Sequence, residues 1–436
     1  MAKIDGAILQ SNKAVPSRAF VPSLEGVRGY AFLAVFFAHY FSNNTFDFDQ
    51  WWLYPAKIVL QIAWVSVPVF FVLSGFLICG ILIDTREKEG YFKIFYSRRI
   101  LRVFPLYYLT LIVVGLVSAC NGYPLNYHFW AHFLYIHNLV PGYVADGSKF
   151  PDHAISHLWS MGVEEQFYLL WPLMVWICPS RRILLRVTLA LIAGSFTLRF
   201  AANWLNLEPW AIYFWTPTRV DAILVGAVFA IVRGEAIYRR LQAIAPYVAL
   251  GGAGVMMLLA ERSGNNPAVS SWTGAVQISV WNITAAGVVL AVMREGSWLC
   301  RLCSMKGICW IGARSYGLYL FHALYLYWFV HSVVAKINNF MPYSVAYAVS
   351  AAIAFALTVL LAGVCYRLIE LPAMNLKKRL QYGGPKMQTG VNAPVEPVPV
   401  REGIVPWRLP VGETSRKKPS EVRVIENSRE AGASWQ

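Results

Sequence analysis

Two ionisable residues, Arg28 and His39, stand eleven positions apart in the otherwise apolar run LEGVRGYAFLAVFFAH. On a helix, at about 100° per residue, that spacing comes within about 20° of three full turns, so both side chains share one face. At about 1.5 Å rise per residue they are separated by about 16 Å along the axis. Arginine offers a planar fork of donors to an anion, and histidine can take a proton near neutral pH. A polar stripe of this kind on an apolar helix needs partners or a water-filled cavity.

Other chemistry-bearing residues recur at intervals along the chain. Arg99 and Arg102 in FYSRRILRVFPLYY are three apart and neighbour each other on a helix. They suit either a phosphate or the basic anchoring of a helix end. Glu164 and Glu165 in HLWSMGVEEQFYLLWP open an apolar helix. Helix-end capping explains one carboxylate there better than two. Arg219 and Asp221 in TRVDAILVGA stand at another helix entry, where Asp221 can pair with Arg219, or with Glu164 or Glu165 through it. His322 in IGARSYGLYLFH falls about eleven residues into its segment, as a hydrogen-bonded core residue or as part of a site. Glu370 in YRLIELP closes the last apolar run. By side, Arg28, Arg99, Arg102, Arg314, Arg367 and Glu370 are expected at the inner face, and His39, Glu164, Glu165, Arg219 and Asp221 at the outer. The mostly cationic inner set fits an anionic ligand. The outer set, a base among carboxylates, fits hydroxyl chemistry.

These residues must be held by membrane helices. The 436 residues are 57% hydrophobic and 14% charged, well short of the quarter charged usual in soluble domains. Apolar runs predict an all-α, polytopic transmembrane bundle of about ten helices, near 24–41, 58–83, 103–119, 160–178, 183–200, 218–233, 244–260, 275–293, 311–334 and 343–367. Basic residues concentrate in alternate connections, such as Arg86 to Arg102, Arg181–Arg182 and Arg239–Arg240. That asymmetry predicts both termini in the cytoplasm and accounts for the net charge of +15 without nucleic acid as a partner. Residues 1–23 form a short N-terminal segment without a cleavable signal peptide, 24–376 the membrane domain, and 377–436 a disordered basic cytoplasmic tail. Trp51, Trp52, Tyr54, Tyr127, Trp130, Tyr135, Tyr143, Trp204, Trp210 and Trp215 read as an interfacial belt or as platforms for sugar rings. The Cys300–Cys303 pair lacks a second ligand pair, so no metal site is expected.

Seven segments, LEGVRGYAFLAVFFAHY, VPVFFVLSGFLI, FYSRRILRVFPLYY, HLWSMGVEEQFYLLWPL, TRVDAILVGA, IGARSYGLYLFH and YRLIELPAMNL, resemble the acyltransferase-three family of integral-membrane O-acyltransferases, in that family's order. The resemblance covers about Leu24 to Leu376, with Glu25 where many members show Asp. It implies an Arg-x10-His motif at Arg28 and His39 and an Arg-x-x-Arg motif at Arg99 and Arg102. It also implies transfer of an acyl group, often acetyl, from cytoplasmic acyl-CoA to hydroxyls of surface or lipid-linked carbohydrate. Acyl-CoA is then a co-substrate, no cofactor is bound permanently, and the enzyme is multi-pass in the plasma (bacterial inner) membrane. The tail is too short and polar for the SGNH-type domain fused to many members, so a stand-alone type is expected. In this reading His39 is the base, oriented by Glu164, Glu165 or Asp221, and Arg28, Arg99 and Arg102 hold the CoA phosphates. Arg219, Asp221, His322 and Glu370 support them. The competing class is a polytopic exporter of a glycan or small molecule, which would need no acyl-CoA.

Overall fold

A computed structural model describes residues 21–41, 54–142, 151–207, 209–263, 272–324 and 331–383. The expectations for residues 1–20, for the tail beyond 383 and for Trp51, Trp52 and Tyr143 lie outside them. Among the described residues every element is a helix, joined by turns and short loops. The principal helices are α1 (Pro22–Phe41), α2 (Tyr54–Ala63), α3 (Ser66–Thr85), α4 (Tyr91–Cys120), α5 (Trp159–Ile177) and α6 (Arg181–Trp204). They continue with α7 (Asp221–Ile231), α8 (Ala236–Ser263), α9 (Trp272–Val292), α10 (Lys306–Ala313), α11 (Ser315–Phe321) and α12 (Tyr343–Cys365).

Among the described residues six helices are long and apolar enough to cross a membrane: Ser66–Thr85, Tyr91–Cys120, Arg181–Trp204, Ala236–Leu259, Thr273–Val292 and Tyr343–Lys377. The protein is a multi-pass membrane protein. Several expected spans are interrupted, each for a local reason. The run 58–83 divides at Trp64–Val65 because Pro68 has no N–H to donate to the Trp64 carbonyl and its ring crowds that oxygen. The run 218–233 yields an eleven-residue α7, about 16 Å long and half a hydrocarbon core. The run 311–334 divides at Arg314, where the backbone leaves helical geometry (φ −107°, ψ 5°). Broken helices are tolerated at membrane depth only where protein or a cavity receives the freed backbone, and they commonly frame sites.

Two close crossings fix the scaffold. A Cβ on Gly75 of α3 would lie 1.8 Å from the Ile223 carbonyl oxygen, and one on Gly226 of α7 would lie 2.0 Å from that of Val72. At the second crossing, a Cβ on Gly312 of α10 would lie 1.7 Å from the Glu25 carbonyl oxygen, and one on Gly29 would lie 2.4 Å from that of Ile308. Small residues let helix backbones touch where lipid supplies no hydrophobic drive. The α1–α10 contact aligns the far end of α1 with the end of α11.

A third alignment runs antiparallel between α4 and α5. Arg86 just before α4, then Tyr91 and Tyr96, donate in turn to the carbonyls of Trp176, Pro172 and Leu169. The Pro172 carbonyl thus accepts a hydrogen bond from outside its helix. Trp130 and Trp204 are exposed, as a belt requires, but Tyr135 is not part of one: it is buried and stacked on Tyr107 at 4.3 Å.

Candidate functional site

The register of α4 on α5 decides where the acidic pair goes. The next step beyond Tyr96–Leu169 brings Arg99 Nη2 to 2.9 Å from Glu165 Oε1, with the guanidinium 3.5 Å over the Tyr168 ring. Tyr168 in turn shares a hydrogen bond with Ser74 of α3. Glu164 lies in the field of Arg99 and Arg28 and beside Tyr168. The two carboxylates expected with the outer set therefore sit with the arginines. The separation into inner cations and outer acids fails here because Glu165 is six residues inside α5 and Arg99 is eight residues inside a 30-residue α4.

The three arginines of the two motifs are in different states. Arg28 Nη1 donates to Glu25 Oε1 at 2.8 Å, one turn back on α1. Arg99 is committed to Glu165. Arg102 is exposed and, among the described residues, donates no hydrogen bond, although Arg28, Arg99 and Glu25 act on it electrostatically. Glu370 ends a π-helical turn, Tyr366–Glu370, and is buried in the field of Arg102 and Arg314. Such turns displace side chains that a regular helix would not aim inward. Arg314 itself lies 4.1 Å over Trp310 and 4.5 Å over Tyr366.

At the other end of α1 the half-buried His39 meets His322 at the close of α11. Their Nδ1 and Nε2 atoms are 2.8 Å apart. His322 is fully buried and its Nδ1 lies 2.6 Å from the Tyr319 carbonyl oxygen. Around the pair, the His157 ring stands edge-on to His322 at 4.8 Å, and Tyr40 donates to the His322 carbonyl at 3.3 Å. Tyr319 donates to the His157 carbonyl at 2.9 Å and accepts from Ser160 at 2.7 Å. Behind His157, in the connection between α4 and α5, His132 and His137 stack at 3.9 Å. Burial holds this layer neutral, pushing His132 down to about 4 and His157 to about 3.

Asp221 and Arg219 form a separate group. Asp221 accepts from Arg199 of α6 at 2.7 Å, where pairing with Arg219 or the glutamates was expected. Arg199 is fully buried and also donates to the Thr218 carbonyl and to Ser279. Arg219, fully buried as well, has no hydrogen-bond partner among the described residues and lies against the faces of Tyr213 and Trp159, at 4.9 Å and 5.3 Å. Arg199 was legible in the sequence only as a charge inside an apolar run. His157, Tyr319 and Tyr168 carried no separate signal, since aromatic residues crowd every segment.

The structure thus joins an arginine–carboxylate cluster and a histidine pair along one helix, in segments found at both ends of the chain. The model of the acyltransferase-three family, described as an acyltransferase domain, matches residues 21–367. The chain belongs to that family. Similar proteins include the peptidoglycan O-acetyltransferase OatA of Listeria monocytogenes, 27% identical over 343 residues that cover 70% of this chain and 49% of the relative. The O-acetyltransferase OatA of Staphylococcus aureus is 25% identical over 373 residues, 82% of this chain and 57% of its own length. The chain therefore spans about half the length of these relatives. No solved structure matches it.

Proposed function

We propose that this acyltransferase is an O-acetyltransferase of the plasma membrane that moves an acetyl group from cytoplasmic acyl-CoA to a hydroxyl of a surface or lipid-linked carbohydrate. The observation that carries the reading is the pairing of the half-buried His39 at one end of α1 with the arginine cluster about 16 Å away at the other. With the basic connections facing the cytoplasm, that cluster faces the donor.

Arg102 is the guanidinium available to phosphate, and Arg28 keeps further donors beyond the one given to Glu25. Arg99, held by Glu165, shapes the floor of that site. The pantetheine arm of the donor is long enough to carry the thioester from there toward His39. His39 takes the proton of the acceptor hydroxyl, and the oxygen attacks the thioester carbonyl. The relatives named as peptidoglycan O-acetyltransferases make glycan hydroxyls the first acceptors to try.

The test is incubation of the purified full chain in lipid nanodiscs with radiolabelled acetyl-CoA and alkali-treated glycan from the producing cells, whose esters have been removed. Label should enter the glycan as alkali-labile ester. Glycan movement across vesicles without acetyl-CoA consumption would overturn the reading in favour of an exporter.

A further inference from the structure

The hydrogen bonds around His322 determine where its proton sits. A carbonyl oxygen only accepts, so the 2.6 Å contact between His322 Nδ1 and the Tyr319 carbonyl places the hydrogen on Nδ1. A neutral imidazole carries one N–H, which leaves His322 Nε2 as a lone pair. The 2.8 Å bond to His39 Nδ1 is then donated by His39. His39 is thereby held in the tautomer whose lone pair is on Nε2, the nitrogen that can accept a proton.

We propose that His322 is the positioning residue of His39, fixing its tautomer and receiving, through the Nδ1–Nε2 bond, the proton that His39 draws from the acceptor hydroxyl. The proposal rests on the reading of His39 as the base. In the transfer step the acceptor O–H bond breaks, its proton goes to His39 Nε2, and the oxygen's electron pair forms the new bond to the thioester carbonyl carbon. The Nδ1 proton of His39 passes to His322 Nε2. When the C–S bond breaks, the electron pair leaves on sulfur, and the proton returns along the same two nitrogens to make the thiol. The products are the ester and free CoA.

The surroundings favour an imidazole in this role. Among the described residues His322 is bonded to no carboxylate. Among the described residues the titratable groups facing the pair include His157 just before α5, Tyr319 on α11, Tyr40 on α1 and Tyr347 from α12, which donates to the Tyr40 carbonyl. Glu164 acts on Tyr319 through space. A carboxylate partner would leave a net charge buried among Phe32, Phe36 and Phe321, whereas a second imidazole keeps the resting pair neutral.

The experiment uses the full chain in nanodiscs with acetyl-CoA and the alkali-treated glycan, measuring kcat and KM against pH together with thermal stability. In H322Q the amide oxygen can accept from His39 but cannot take its proton onward. Transfer should fall about 10- to 100-fold, with KM for acetyl-CoA within about twofold of the original. Its acidic limb should move to lower pH, because an amide stabilises the imidazolium less than an imidazole does. In H322E the limb should move to higher pH, and H322L should be as inactive as H39A. H322L retaining more than about a tenth of the activity with an unmoved limb overturns the proposal, as does parallel loss of stability and activity across the series with no limb moving. Transfer by H39A would overturn the underlying base assignment, and the relay with it.

Discussion

At its first turns α1 carries Arg28, tied to Glu25 at 2.8 Å within a crowd of ionisable groups contributed by α4, α5 and the π-helical turn at Glu370. Eleven residues on, the same helix carries His39, joined to His322 at the same distance among aromatic rings and neutral imidazoles. One end gathers arginines and carboxylates, and the other a hydrogen-bonded pair of imidazoles. Fixed charge at membrane depth persists only when compensated, as Arg99 is by Glu165, so part of that cluster is spent on itself, while among the described residues Arg102 donates no hydrogen bond. Neutral imidazoles cost less to bury and keep a lone pair for chemistry. On the proposed reading, binding and proton transfer sit on one helix, with the charges of the first kept about 16 Å from the base of the second.

Substitutions at the two ends should separate these roles. The largest effect is expected at the histidine end: His39→Ala should lower transfer by at least about a thousandfold while leaving CoA affinity within about twofold, read by initial rates and calorimetry. Loss of affinity in step with rate would merge the two regions into one. At the charged end, Glu165→Gln strands Arg99 and should cost about 3 kcal/mol of stability, seen as a lowered thermal midpoint, with Arg99→Ala/Glu165→Ala recovering part of it. If the double variant is no better than the single, Arg99 is not held by Glu165. Arg102→Ala should weaken CoA binding by about tenfold, the value of one or two charge-assisted hydrogen bonds, and leave the thermal midpoint unchanged. An intact affinity would remove Arg102 from the donor site.

A further effect concerns pH. His132 and His157 have folded values of about 4 and about 3, below the ordinary imidazole value, so the unfolded chain binds more protons between there and about 6.5. Stability should therefore be greatest above about pH 6.5 and decline as pH falls through 6 toward 4. A thermal midpoint flat from pH 7 to 5 would show that these rings are solvated.

Membrane class, the helical fold and the pairing of Arg28 with His39 on one face followed from the sequence, because composition and helical period act locally and need no knowledge of neighbours. The order of seven motifs likewise carried the family. Sequence spacing could not reveal register between distant segments. Glu165 was expected near His39 because depth was counted from helix ends, yet the seating of α4 along α5 slides it to Arg99. Asp221 was expected to use Arg219, two residues away, but is claimed by Arg199 from another helix. His322 looked like a core residue until the close glycine crossing of α1 on α10 brought it within 2.8 Å of His39, 283 positions away in the chain. What the sequence determined by itself was which groups are present and which face each helix turns. Only the tertiary structure decided which opposite charges cancel and which two imidazoles share a proton, since both depend on backbone approach to within an ångström.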